Sequence, residues 1–221
     1  MREETFIAAV RRSVGFGRLE DPGPNPLPRM ESDFADDLEA IFDTTATRTG
    51  ATVHYARNEN DAISLIAQLM KEAKAESFLS WDKEHIPLPD LTTKLEAAGF
   101  RRTSGHVPPD IEARKAHQIG YFDCPIGITG ADAGLAETGS IILRSGIGRP
   151  RMASLIPKIH IAVLNREHLW PSLRIWLANH SDDATAVANT TIVTGPSRTA
   201  DIEMIITHGV HGPRYLHILL I

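Results

Sequence analysis

VHYARNENDAISLIAQLMKEAKAESFLSW, residues 53–81, decides the fold class. VHYA (53–56) and SFLSW (77–81) are short apolar runs of strand length. NDAISLIAQLMKEA (60–73) between them repeats its apolar residues at helical spacing. A strand, a helix and a second strand within thirty residues make a crossover unit, which pairs its strands in parallel and lays the helix on the sheet.

Upstream, Glu31 to about Thr49 reads as an amphipathic helix, with Phe34, Leu38, Ile41 and Phe42 on one face. Before it, DPGPNPLP (21–28) places four prolines in eight residues, which forbids helix and central strand alike. Residues 1–30 are therefore expected to form a short N-terminal helix on a proline-rich arm, with an α/β domain over 31–221. The arm either folds back on its own core or grips a partner.

Downstream, LTTKLEAAGF (91–100) and PPDIEARKAHQ (108–118) read as helices. ADAGLAE (131–137) and SIILRS (140–145) flank Thr138-Gly139, a two-residue hairpin signal, so an antiparallel pair is expected there. IHIAVLN (159–165), TTIVTG (190–195) and YLHILLI (215–221) read as buried strands, with HLWPSLRIWLANH (168–180) as a covering helix. The whole is one mixed α/β domain with a mostly parallel sheet.

The bulk properties exclude several functions. A net charge of −5 over 221 residues argues against a general nucleic-acid binder. The single cysteine, Cys124, permits neither an internal disulfide nor a thiolate-ligated cluster, so no cofactor of the chain's own is expected. No apolar run approaches the roughly 20 residues of a membrane span, and MREETFIAAVRRSVGFG lacks the lead of a signal peptide. A soluble, cytoplasmic protein is the expectation. GFG at 15–17 follows no strand, so the dinucleotide fingerprint fails.

Ligands of open α/β sheets gather beyond the carboxyl ends of the strands. Four segments are expected there: Asp82, GADAGLAETGS (130–140), RSGIGRPR (144–151) and GPSRT (195–199). Asp132 and Glu137 sit among small residues that let a ligand approach, as a base or nucleophile requires. Equally, they cap turns or pair with arginine. Arg144, Arg149 and Arg151 suit a carboxylate or phosphate, or neutralise nearby acids. GPSRT is expected to open a helix over ADIEMII, with Thr199 as N-cap and Ser197 and Arg198 in the turn. Asp201 and Glu203 occupy the positive end of that helix and would repel an anion. His208, His211 and His217 invite a metal reading, but Gly209, Gly212 and Pro213 break any helix that would align them, and no metal is assigned.

ITGADAGLAETGSIIL, RMASLIPKIHIAVL and IVTGPSRTADIEMIITHGVHGPRYLHILLI, running in order from about Gly120 to Ile221, resemble the lactate-utilisation domain family. The resemblance implies a Rossmann-like three-layer α/β/α fold, similar to the sugar-phosphate isomerase and coenzyme A transferase superfamily. It implies work with two iron–sulfur proteins in oxidising L-lactate to pyruvate, this chain being the subunit without a cluster. The motif positions it carries over are Glu137, Thr138, Gly139, Gly195, Pro196, Ser197, Thr199, Asp201, Glu203, His211 and Gly212. Glu137 and His211 are thus the catalytic candidates. Thr138, Gly139, Arg144, Arg149, Arg151, Gly195, Ser197, Arg198, Thr199 and Asp201 are the substrate-binding candidates, for a small carboxylate. A stand-alone enzyme on an acyl-CoA or phosphosugar, with Glu137 as nucleophile or base, is the alternative. Glu137, Ser197, Thr199 and His211 are expected in one pocket, with the arginines of RSGIGRPR at its rim.

Overall fold

The structure is a computed structural model that describes residues 37–103, 105, 110–180, 187–200 and 206–221. The proline-rich arm and the expected boundary near residue 31 lie outside these residues.

Helix α1 (Leu38–Thr49) starts where the Asp37 carboxylate accepts the Ala40 N–H at 2.9 Å. It ends at Gly50, whose φ of 94° is the left-handed turn that glycine adopts without a Cβ penalty. Strand β1 (Thr52–Tyr55) follows, then α2 (Glu59–Glu72), capped by the Asn58 side chain on the Asp61 N–H. Strand β2 (Ser77–Ser80) completes the crossover that the sequence predicts. Next come α3 (Leu91–Ala97), β3 (Arg101–Thr103), α4 (Ile111–Phe122) and β4 (Ile126–Gly130). β3 and β4 went unpredicted, although β4 is wholly buried.

The main sheet has six parallel strands, completed by β7 (Ile159–Leu164) and β12 (Tyr215–Leu220), in the order β1-β12-β7-β4-β2-β3. Its buried centre joins Phe78, Leu79, Ile126, Ile128, Ile161 and Ile218 to Phe42, Ile66 and Met70 of the helices. At the fixed register, Leu216, His160 and Gly127 share one face, while His217, Ile161 and Ile128 share the other. On the first face, α5 (Met152–Leu155) crosses so close to Gly127 that a Cβ there would strike the Ala153 carbonyl.

The hairpin does not join this sheet. β5 (Ala133–Leu135), β6 (Ser140–Ser145), β8 (Leu169–Trp170) and β9 (Asn189–Val193) form a second sheet in the order β8-β5-β6-β9. The antiparallel pairing of β5 and β6 is as expected. Their connection is a four-residue loop, Ala136–Gly139, closed by the Gly139 N–H on the Leu135 carbonyl, in place of a two-residue turn. Strand β6 alternates between two cores. Ile141 and Leu143 enter the main one, and Ile142 joins Ala133, Leu135 and Trp176 in a smaller one.

Two further expectations are corrected. HLWPSLRIWLANH is α-helical only over α6 (Leu173–Asn179), because Pro171 lacks an N–H and Ser172 caps the helix on the Ile175 N–H. TTIVTG is a half-buried strand of the second sheet, antiparallel to β6.

Candidate functional site

A large cavity, about 630 Å³, opens on the face covered by α5, at the amino ends of β1, β12 and β7. Its floor is His160 of β7 and Leu216 of β12. Arg48 and Thr49 from the last turn of α1 form one wall, and Ser154 and Leu155 of α5 another. Ile192, Val193 and the run Thr194–Arg198 form a third, and His211, Gly212 and Pro213 close it.

The GPSRT segment is held by backbone. Gly195 adopts a φ of 76° and packs against Thr49, an approach that leaves no room for a side chain. Ser197 donates its N–H to Pro213 at 2.9 Å and accepts the Gly209 N–H at 2.9 Å, which ties GPSRT to GVHGP. The His211 N–H reaches the Ser197 hydroxyl at 3.4 Å. Arg198 donates to the Thr49 carbonyl.

Arg198–Ala200 is β10 and pairs antiparallel with β11, Ile206–His208, so Thr199 stands opposite Thr207 in a ladder instead of at a helix N-cap. Residues 201–205, the interior of the helix expected over ADIEMII, with Asp201 and Glu203 among them, lie outside the described residues.

GPSRT also lies at the opposite edge of the main sheet from the one expected. β5 leaves the carboxyl edge, β6 returns antiparallel to it, and β9 runs antiparallel to β6. The chain after β9 therefore emerges at the amino edge. Asp82, GADAGLAETGS and RSGIGRPR do begin at the carboxyl edge.

The sequence candidates thus divide. Gly195, Ser197, Arg198 and His211 line the cavity, and Thr199 and Glu137 do not. Glu137 and Thr138 are exposed on the hairpin loop, while Gly139, with φ 65°, packs against the backbone of Thr45 and Ala46. Thr138 still connects to the cavity, because its hydroxyl lies 2.7 Å from that of Ser140, itself 2.7 Å from that of Thr194.

At the carboxyl edge, Asp132 accepts the Arg144 N–H at 2.8 Å, Arg144 Nε at 2.9 Å and an Arg149 guanidinium nitrogen at 3.2 Å. Pairing with arginine is therefore what Asp132 does here. These three line a smaller cleft with Trp81 and His85, whereas Arg151 lines a third beside Asp82 and Gly148. The arginines of RSGIGRPR do not stand at the rim of the large cavity.

Sequence reasoning missed His160, Arg48 and Thr194. The signal for His160 was available: one polar residue in an otherwise apolar strand, IHIAVL. It is buried, with Nε2 at 2.9 Å from the Thr129 hydroxyl. Burial, helped by His217, pushes its imidazole down to about 3, so the ring is neutral at neutral pH. His217 instead sits on the other face of the sheet, 2.9 Å from His54, and burial followed by His54 pushes it down to about 4. His208, His211 and His217 are not brought together. Among the described residues, no three His, Cys, Asp or Glu side chains are placed to hold a metal. No described helix is long and apolar enough to cross a membrane. Cys124 is buried and contacts the Thr103 hydroxyl at 3.0 Å.

Among the described residues, the lining of the large cavity includes two arginines and four hydroxyl-bearing residues, Thr49, Ser154, Thr194 and Ser197, and no carboxylate. Such a lining favours an anion.

Residues 40–221 match the family model described as the LUD domain. The lactate utilization protein C of Halalkalibacterium halodurans is 28% identical, over 96% of this chain and 94% of that one. The lactate utilization protein C of Deinococcus radiodurans is 35% identical, over 98% of this chain and 93% of that one. The crystal structure of a DUF162 family protein from Deinococcus radiodurans has the same fold. It is 20% identical, with a TM-score of 0.60 over 83% of this chain and 95% of that one.

Proposed function

The chain belongs to the LUD domain family, and from that membership we propose that it serves lactate utilisation as the cluster-free subunit of an iron–sulfur system oxidising L-lactate to pyruvate. The observation that carries this reading is the nearly end-to-end match to relatives named lactate utilization protein C. Cys124 is consistent with it, since one thiolate cannot hold a cluster and the partner subunits supply the metal.

The amino-edge cavity is the ligand site in this reading. Arg48 and Arg198 attract and hold the anionic group. Ser197, fixed from both sides by the GVHGP backbone, offers a hydroxyl that needs no rearrangement to bind. His160 contributes a neutral ring at the floor, able to donate or accept one hydrogen bond without adding charge. Glu137 is exposed and outside the cavity, so no chemistry is assigned to it.

The test is genetic and biochemical together. Deleting the gene in the native host should abolish growth on L-lactate as sole carbon source, and the wild-type chain should restore it. Arg48→Gln should restore it poorly. An affinity-tagged chain should co-purify with subunits containing iron and acid-labile sulfide. Growth of the deletion strain at the wild-type rate sinks the proposal.

A further inference from the structure

We infer that the amino-edge cavity takes an amphiphilic anion, a charged head on an apolar body considerably larger than lactate. This rests on the reading that the cavity is the ligand site, and it deepens that reading by naming the ligand class. Size is the first argument. A lactate ion is a handful of non-hydrogen atoms, each smaller than a water's ~30 Å³ share of liquid, and fills only a fraction of 630 Å³. A cavity of this volume lies in the ~300–1,000 Å³ range that buries much larger ligands.

The lining is the second argument. Leu155 and Ile192 remain 36% and 44% exposed although both face the cavity. Val193, Pro196, Pro213 and Leu216 extend the same apolar surface. Lactate has one methyl group to set against it. An apolar body covers this surface and gains by leaving water. The two arginines that line the cavity come from neighbouring places, since Arg198 bonds the carbonyl of Thr49, the residue after Arg48. Positive charge is thus gathered at the end of α1, while the apolar residues come from α5, β9 and the proline corners. A ligand that satisfies both regions has its charge at one end.

Isothermal titration of the full-length chain with butyrate, hexanoate, octanoate and L-lactate tests this, with octan-1-ol and octyl phosphate as head-group probes. Affinity should rise roughly two- to fourfold per added methylene. Octanoate should bind at least tenfold more tightly than lactate or octan-1-ol. Arg48→Gln should weaken octanoate roughly fivefold and leave octan-1-ol unchanged. Leu155→Asp, a change at a partly exposed position that spares the fold, should weaken octanoate tenfold or more. Tighter binding of octyl phosphate than of octanoate also supports the inference and makes the head a phosphate.

Affinity that is flat along the series overturns it. So does octanoate binding that Leu155→Asp leaves untouched, because such binding lies elsewhere on the surface. Growth on lactate that depends on Arg48, without octanoate or octyl phosphate binding, removes this inference and leaves the proposed function standing. Amphiphile binding by a chain that lactate growth does not require has the opposite effect.

Discussion

Asp132 shows how one residue can look catalytic and be structural. Its carboxylate is only 11% exposed and receives three donors from Arg144 and Arg149, whose side chains are 21% and 22% exposed. Removing the charge takes a close counter-ion away from two poorly solvated guanidiniums. Asp132→Asn is therefore expected to cost about 3 kcal/mol of stability, measurable as a lower urea midpoint at unchanged slope; a change under about 0.5 kcal/mol would mean the cluster is solvated. The buried histidines give the second prediction at this scale. His160, His217 and His54 all titrate below their ordinary 6.5 in the folded chain, chiefly because burial disfavours the charged ring. Glu72 works against the shift in His54 and His217. The unfolded state thus binds more protons than the folded one below pH 6.5. Their contribution to stability is complete above that pH and is lost as pH falls toward about 4 for His217 and about 3 for His160. Urea midpoints followed from pH 7.5 to 4.5 should decline, and His217→Gln should flatten the decline. An identical decline in the variant excludes the His54–His217 pair as its source.

Elements were legible where local chemistry and tertiary context agree. The crossover from β1 through α2 to β2 has a capping Asn58, one apolar helical face and two short apolar runs, and it forms as read. β4 escaped because Gly127 and Gly130 dilute its apolar signal; they are there since Ala153 and His85 press on the backbone at those points. Thr199 was misread as an N-cap for the opposite reason. The helical spacing of the isoleucines after it suggests a helix start, yet Thr199 pairs with Thr207 between β10 and β11, a contact no local pattern reveals. The hairpin is intermediate: its existence was legible and its loop length was not. Gly139 sets that loop, with φ 65° and the Ala46 backbone where a Cβ would stand. Gly139→Ala should cost more than the ~1–2 kcal/mol of left-handed strain alone, because α1 must also move. A thermal melt reads this directly, and a loss below 1 kcal/mol would show that the loop relaxes freely.

At the scale of the whole molecule, the unread feature was which edge of the sheet each loop reaches. Helical crossovers return the chain to the same edge, which is why carboxyl-end loops were expected to converge. A segment that passes through the antiparallel second sheet reverses once per strand, so GPSRT and RSGIGRPR separate although the sequence places them symmetrically around β7 and β9. Among the described residues, the fold therefore offers an arginine-lined cavity at the amino edge and the Asp132–Arg144–Arg149 cluster at the carboxyl edge. β7, six residues long, runs from one edge to the other, a span of about 20 Å at ~3.3 Å per residue. No hydrogen bond or ion pair between described residues links Arg48 or Arg198 to Asp132, Arg144 or Arg149 directly. Sites this far apart are expected to behave independently. Arg48→Gln should weaken binding of octanoate while leaving the urea midpoint in place. Asp132→Asn should lower the midpoint while leaving octanoate affinity in place at temperatures where the variant is folded. The double variant should show both effects, summing to within about 0.5 kcal/mol in each measurement. A larger coupling would mean that the sheet transmits the state of one edge to the other, with β7 and its buried His160 as the element that spans them.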